Sequence, residues 1–269
     1  MRTPGVLIRA MASDIIASRE LSWRLFVRDV SAQYRQSLFG ILWAFLPPIV
    51  TSAIFIVLNN QRVIDFGDVG MPYAAYVLVG TILWQIFSES VNAPLKSVTA
   101  AQSLLAKVNF PREALIVAAF YLTVLNAVIK STVIVAAISI FHLTPGWGIV
   151  FAPLGVLMLI LLGIMIGLII TPVGMLYTDV GSSIPIILQL AFFVTPVVYP
   201  PPQTFPFSLL GIFNPVSPLL TAARDLLTTG TMSNPTAALV IGCLTLLGLF
   251  LGWIVYRISM PILIERMSS

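Results

Sequence analysis

Long uncharged apolar runs alternate with short polar, proline-bearing connections along most of this chain. A helix that crosses a bilayer needs about 20 consecutive apolar residues. Residues 38–58 meet that length without a charge, 71–87 are shorter but uncharged, 114–141 contain the single charge Lys130, and 148–177 form the longest uncharged run. Residues 184–199 are short and run into Pro200, Pro201 and Pro202, and 237–256 make the last run. The pattern predicts an all-α membrane protein with six transmembrane helices.

Three segments between these runs add to the picture. Ahead of the first, Trp23, Phe26, Val27, Val30 and Tyr34 recur at helical spacing, with Arg24, Arg28, Ser31 and Arg35 forming a second stripe about 100° round. That predicts an amphipathic helix in the cytoplasmic interface, its apolar side in lipid or against the bundle; a simple basic anchor is the plainer reading. The connection over 92–113 is bounded by Pro94 and Pro111, and 100–107 read as a short helix in which Leu104 and Leu105 make an apolar knob. Such a knob is a docking surface or packs back on its own bundle. The stretch 200–235 holds apolar segments at 205–213 and 219–227, too short to cross, with expected breaks at Asn214-Pro215 and Ser217-Pro218 between them. Segments of that length read as re-entrant or interfacial helices, and irregular backbone at membrane depth survives only where protein or a water-filled cavity satisfies it.

Composition agrees with the pattern. Hydrophobic residues make up 58% of the 269 and charged residues only 9%, against about 25% charged in a soluble domain. The net charge of +4 would point to nucleic acid in a soluble protein; here the cations flank apolar runs and set orientation instead. With the N-terminus inside, 11 of the 14 Lys and Arg fall on cytoplasmic pieces, Arg62 and Arg224 fall outside, and Lys130 lies within a span. That asymmetry predicts both termini in the cytoplasm. The N-terminal 19 residues carry no signal-peptide core, so the first apolar run is expected to act as the insertion signal.

Catalytic chemistry is hard to place on this chain. There is no phosphate-binding G-x-x-x-x-G-K-[ST] loop and no H-E-x-x-H. Cys243 is the single cysteine and His142 the single histidine, too few for a cysteine cluster or a histidine-anchored zinc site. No metal or cofactor is expected on this chain. Charges inside a membrane are costly and functionally suspect, which singles out Lys130. It follows Arg112 by 18 residues, about 27 Å of helix, so it either serves a transport path or snorkels to the headgroups. Glu89 reads as a capping or interfacial acid. Tyr73, Tyr76, Trp84, Trp147, Tyr199 and Trp253 fall near predicted span ends, as belt aromatics do.

The order of these parts resembles the membrane subunit of ABC-2 type exporters, in particular the polysaccharide branch that exports O-antigen, capsule and teichoic acid. Arg24-Leu25-Phe26-Val27-Arg28-Asp29 and Tyr34-Arg35-Gln36-Ser37-Leu38-Phe39-Gly40-Ile41-Leu42-Trp43 resemble that family's entry into its first span. Lys107-Val108-Asn109-Phe110-Pro111-Arg112-Glu113 resembles the loop after its second span. Gln189-Leu190, Thr195-Pro196-Val197-Val198-Tyr199-Pro200 and Asn214-Pro215 resemble its fifth span and external segment. The family often carries Arg-Asp after its fourth span; here Thr178-Asp179 stands, so the arginine is lost and Asp179 retained.

The resemblance implies a cytoplasmic N-terminus with a gate helix over 1–36, an ABC-2 transmembrane unit over 37–257 and a cytoplasmic tail over 258–269. It implies a homodimer served by two copies of a separate ATPase, with ATP and Mg on that partner and no nucleic acid involved. Leu104, Leu105, Lys107, Phe110, Arg112 and Asp179 would meet the ATPase. Trp23, Arg24, Arg28 and Arg35 would meet the head of a polyprenyl-diphosphate-linked polysaccharide, and Lys130, Tyr199 and Asn214 would border its path through the cytoplasmic membrane of a bacterium. An O-antigen cargo is preferred; teichoic acid, capsule or a smaller lipid or drug are alternatives. From other classes, a membrane-embedded transferase would want clustered acids or histidines, and a scaffold has no need of interrupted helices.

Overall fold

The computed structural model describes residues 4–35, 40–64, 69–107, 111–202, 205, 211 and 213–268. Among these the regular structure is helical. The elements are α1 (Pro4–Tyr34), α2 (Leu46–Asn60), α3 (Tyr73–Ala100), α4 (Gln102–Lys107), α5 (Glu113–Ile140), α6 (Ala152–Leu176), α7 (Thr178–Val194), α8 (Val216–Thr228) and α9 (Pro235–Ser268), with 3-10 turns at Gly40–Ala44 and Trp147–Phe151. Among the described residues, five segments are long and apolar enough to cross a membrane: Leu42–Asn60, Tyr73–Ala100, Glu113–Ile140, Trp147–Leu176 and Pro235–Leu263. The remaining expected span, 184–199, overlaps the 17-residue α7, which starts six residues earlier at Thr178 and ends at Val194; it is about 26 Å long and at the lower limit for a crossing.

Proline misled the placing of boundaries. The second run was expected to stop at 87 and its connection to start at 92, but α3 continues through Pro94 to Ala100. Pro94 is buried against Gly167 of α6, where a Cβ would lie 2.9 Å from its ring, so packing accommodates the proline within a continuous helix. Pro172 and Pro185 likewise lie inside α6 and α7. Ser217-Pro218, expected as a break, belongs to the first turn of α8, where a missing N–H leaves no helical acceptor unmet. Membrane helices accept such residues because neighbours satisfy the freed groups. The connection after α3 is therefore shorter than 92–113, and α4 occupies the expected short helix.

Helix α3 is the centre of the molecule. Val77, Val79, Ile82, Leu83 and Val98 along it have no accessible surface. Its tightest partner is α6, whose Gly163 faces Ser90 and Phe87: a Cβ there would sit 2.5 Å from Ser90 Cβ and 2.8 Å from the Phe87 carbonyl oxygen. Lipid tails are as apolar as leucine, so close packing, rather than exclusion of water, holds such helices together. Helix α5 also packs on α3, α8 lies against α6 and α3, and α9 packs on α6. On the remaining side, α2 and α7 touch α3 less extensively than α5 and α6 do.

Helix α1 runs along α5. Its buried line is Ser18, Ser22 and Leu25, while Trp23 and Val27 are exposed. The apolar face expected from Trp23, Phe26 and Val27 is thus rotated away from the bundle, and Tyr34's side chain lies outside the described residues. Trp23 and Phe26 still reach α5 at their edge, with Tyr121 about 6 Å from both rings (6.4 and 6.0 Å).

Candidate functional site

A cavity of about 350 Å³ opens between α2, α3 and α7 at the middle of their lengths. Thr81, Trp84, Gln85, Ser88 and Asn92 line it from α3, Thr51 and Phe55 from α2, and Pro185, Leu188, Gln189, Phe192 and Phe193 from α7. The α3 spacing of three and four residues puts the polar groups on one stripe. Rings bind the three helices: Phe192 lies 5.9 Å from Trp84 at 73°, an edge-to-face geometry that suits the ring quadrupoles, and 6.1 Å from Phe55 at a tilt of 43°. Ser52 and Thr81 share a hydrogen bond of 2.8 Å across the α2–α3 contact. Asn92 Nδ2 donates to the Ser88 carbonyl, 2.8 Å away. The amides of Gln85 and Gln189 have no partner among the described residues. Trp84 was expected as a belt aromatic; at 5% exposed it is a wall of this cavity.

Glu89 follows Ser88 on the same helix and accepts a hydrogen bond from Lys130 Nζ of α5. The lysine is 1% exposed and the glutamate 45%. The snorkelling alternative for Lys130 therefore fails, because its ammonium turns inward to an acid. Glu89 is no cap either; with α3 running to Ala100 it sits mid-helix.

A second polar centre lies where α7 ends. Thr195-Pro196-Val197-Val198-Tyr199 leaves the helix as irregular chain, and from Pro196 to Tyr199 every carbonyl is captured by a side chain. Arg224 of α8 donates to Pro196 O (3.2 Å) and Val197 O (2.5 Å), Tyr73 Oη to Val198 O (3.1 Å) and Tyr76 Oη to Tyr199 O (2.9 Å). The Arg224 guanidinium stacks 3.8 Å above the Tyr76 ring and is 1% exposed. Gly80 permits this, since a Cβ there would stand 3.2 Å from Arg224 Cζ and would collide with the Val197 oxygen. Of the expected path residues, Tyr199 donates to Phe193 O (2.8 Å). Asn214 donates to Thr195 Oγ1 (2.7 Å) while accepting from Val216 N (3.0 Å), which ties the start of α8 to the end of α7. Lys130, Tyr199 and Asn214 do not converge on one site, and the cavity is built from other residues.

The N-terminal cations have partners of their own: Arg24 meets Glu20 at 2.5 Å and Arg28 meets Asp29 at 2.8 Å, all on α1. Arg35 follows the helix, its N–H donating to Ser31 O. At the other expected contact region Leu105 is buried and Leu104 half-buried, so the knob expected from both presents only Leu104. Side-chain surroundings of Lys107, and Phe110 altogether, lie outside the described residues, as do Gln36, Ser37, Leu38, Phe39, Val108 and Asn109. Asp179 is exposed in the first turn of α7. Arg112 lends its carbonyl to Tyr256 Oη (3.2 Å), and the neighbouring Glu113, buried, pairs with Arg257 at 2.8 Å. This joint between α5 and α9 escaped the sequence, as did Arg224, which had been placed in an external loop. An arginine flanked by leucines and alanines in 219–227 was the available signal.

Residues 20–228 match the model of the family described as ABC-2 type transporter. The chain belongs to the ABC-2 type transporter family. It is a multi-pass membrane protein of that family, with the five long apolar helices named above. Its relatives include an O-antigen export system permease from Myxococcus xanthus, 27% identical over 71% of this chain and 72% of the relative. One from Klebsiella pneumoniae is 24% identical over 77% and 79%. A polysialic acid transport protein from Escherichia coli is 25% identical over 87% of this ABC-2 chain and 91% of its own. The match ends at 228, so α1 from residue 20, the α2–α3–α7 cleft and the Arg224 centre all lie inside it.

Proposed function

We propose that this chain is the membrane subunit of an ATP-driven exporter that moves a polyprenyl-diphosphate-linked polysaccharide of the O-antigen class across the cytoplasmic membrane of a bacterium. The observation that carries the reading is the cleft of amides, hydroxyls and rings at mid-span. Polar groups left unpaired there are costly in lipid and acceptable where water or cargo meets them. The names of the relatives supply the cargo class.

In this reading α7 makes the sixth crossing, which returns both termini to the cytoplasm and keeps 11 of 14 cations there. Two copies stand side by side, the outward apolar residues of α2 (Ile49, Val50, Ile54, Val57) and α7 (Ile186, Ile187, Leu190, Phe193) closing the two clefts into one path. Two separate ATPase subunits, holding ATP and Mg, bind at the end bearing α4, with Leu104, Lys107, Phe110, Arg112 and Asp179 at or near the contact. The Glu113–Arg257 and Tyr256–Arg112 joint then carries movement of that end into α9. Trp23, Arg24, Arg28 and Arg35 meet the lipid diphosphate at the entrance. Their exposed pairs with Glu20 and Asp29 are weak and exchange readily for phosphate oxygens. The long alignment with the polysialic acid transporter favours a capsule-type polymer as the second reading.

The test is hydrolysis by this chain co-assembled in nanodiscs with its ATPase, with and without a polyprenyl-diphosphate glycan. A stable complex whose hydrolysis responds to the glycan is expected. Failure of a well-folded chain to bind any ATPase would falsify the exporter reading.

A further inference from the structure

We propose that the α2–α3–α7 groove selects an uncharged, hydroxyl-rich polymer and that Gln85 and Gln189 are its specificity-determining residues; this rests on the export reading above. The two amides face each other's helices across the cavity and neither is hydrogen-bonded to the protein among the described residues. Each offers two donors and an acceptor, which matches hydroxyl groups that both donate and accept. Ser88 and Thr51 add hydroxyls, and Phe55 and Phe193 supply accessible apolar ring surface, with Trp84 and Phe192 packed behind them. A few placed polar groups within an apolar wall give orientation and selectivity.

Charge decides between polymer classes. None of the residues lining the cavity is ionisable as acid or base at neutral pH. Glu89, beside Ser88, is the nearest charge along α3, and Lys130 cancels it. At 1% exposure that lysine is unreachable by cargo, so it neutralises the wall without offering a cation. Lys96 lies a turn beyond Asn92 and outside the lining. A carboxylate-bearing chain entering this groove would lose water and find no countercharge, a heavy penalty. A neutral polyol exchanges water for amides and hydroxyls at little loss.

The experiment is transport in proteoliposomes holding the full complex with its ATPase. The two cargoes are matched polymers on the same polyprenyl diphosphate, one an uncharged hexose chain and one carrying a carboxylate on every residue. The uncharged polymer is expected to move at least tenfold faster. Gln85→Leu with Gln189→Leu, close in volume and apolar, should lower its rate at least tenfold at equal yield of assembled complex. Gln85→Asn with Gln189→Asn should recover most of the rate, which separates lost hydrogen bonds from lost fold. Gln189→Arg should narrow the gap between the polymers. Equal transport of both polymers, or a Leu double variant that moves the uncharged chain at the wild-type rate, overturns the selectivity while leaving the export reading standing. Transport of neither polymer by an assembled, ATP-hydrolysing complex overturns the export reading itself.

Discussion

Two faces of one helix divide the labour of this protein. Toward α6, α3 is packed to the limit, with Phe87, Ser90, Val91 and Pro94 against Gly163 and Gly167. Toward α2 and α7 the same helix carries Gln85, Ser88 and Asn92 around an open cavity. Both faces lie at the same depth, so the difference cannot come from the membrane. The closed face is where glycines let two backbones meet, and dispersion between many atom pairs sets its strength. The open face gives up that packing and keeps polar groups in reserve. The second polar centre, around Arg224, behaves like the closed face despite its charge, because every carbonyl of the irregular segment from Pro196 to Tyr199 already has a donor. In the groove, by contrast, the Gln85 and Gln189 amides have no partner among the described residues.

That contrast can be broken most severely at Arg224. Arg224→Leu leaves the Pro196 and Val197 carbonyls buried without donors, and at about 1–3 kcal/mol each the loss is about 4 kcal/mol of stability. Arg224→Lys should recover little, since an ammonium cannot span two carbonyls and stack on Tyr76 as the planar guanidinium does; thermal unfolding in detergent reads both. Next comes Gly167→Leu on the closed face, expected to destabilise by about 3 kcal/mol through overpacking against Val91 and Pro94 and to appear as loss of folded protein in the membrane. Glu89→Gln, between the two faces, strands the buried Lys130. Because Glu89 is half-exposed, the effect falls below the range for fully buried pairs, about 2 kcal/mol, and adding Lys130→Met should restore stability. A single variant as stable as wild type would mean that the pair contributes nothing to the fold. Smallest in stability is Arg24→Ala with Arg28→Ala on α1: no shift in the unfolding midpoint, but slower export in a well-expressed complex. Unchanged export would remove the headgroup role from these residues.

Much of the architecture could be read from the residues alone, and the errors have a common origin. Hydropathy locates the apolar helices, and the short helix expected over 100–107 is present over 102–107. Helix ends went wrong at Pro94 and Ser217-Pro218 because proline was taken as a stop, whereas buried neighbours or a first-turn position absorb it. On α1 the spacing of Trp23, Phe26 and Val27 marks an apolar face without deciding whether lipid or the bundle covers it, and Ser18, Ser22 and Leu25 hold the packed side; small side chains let α1 approach α5 more closely than the large rings would. Lys130 was singled out correctly as unusual, but its partner lies 41 residues away. The cavity has no mark in the sequence: Gln85 is a single polar position in an apolar run, Ser88 and Asn92 lie beyond the expected end of that run, and they become a site only when Gln189 is brought opposite.

The sequence by itself determined that the chain lives in a membrane, that it is helical, and that it carries the motifs of the ABC-2 type transporter family without a phosphate loop. These follow from composition, run length and local order, which are properties of consecutive residues. Tertiary structure alone decided which face of each helix is core, that Glu89 answers Lys130, that Arg224 is buried under Tyr76, and where the groove opens. The physical reason is the solvent. In water, a helix advertises its buried side by being apolar there and polar elsewhere. In lipid, the outward and inward sides are both apolar, so periodicity fades and only packing in three dimensions separates them.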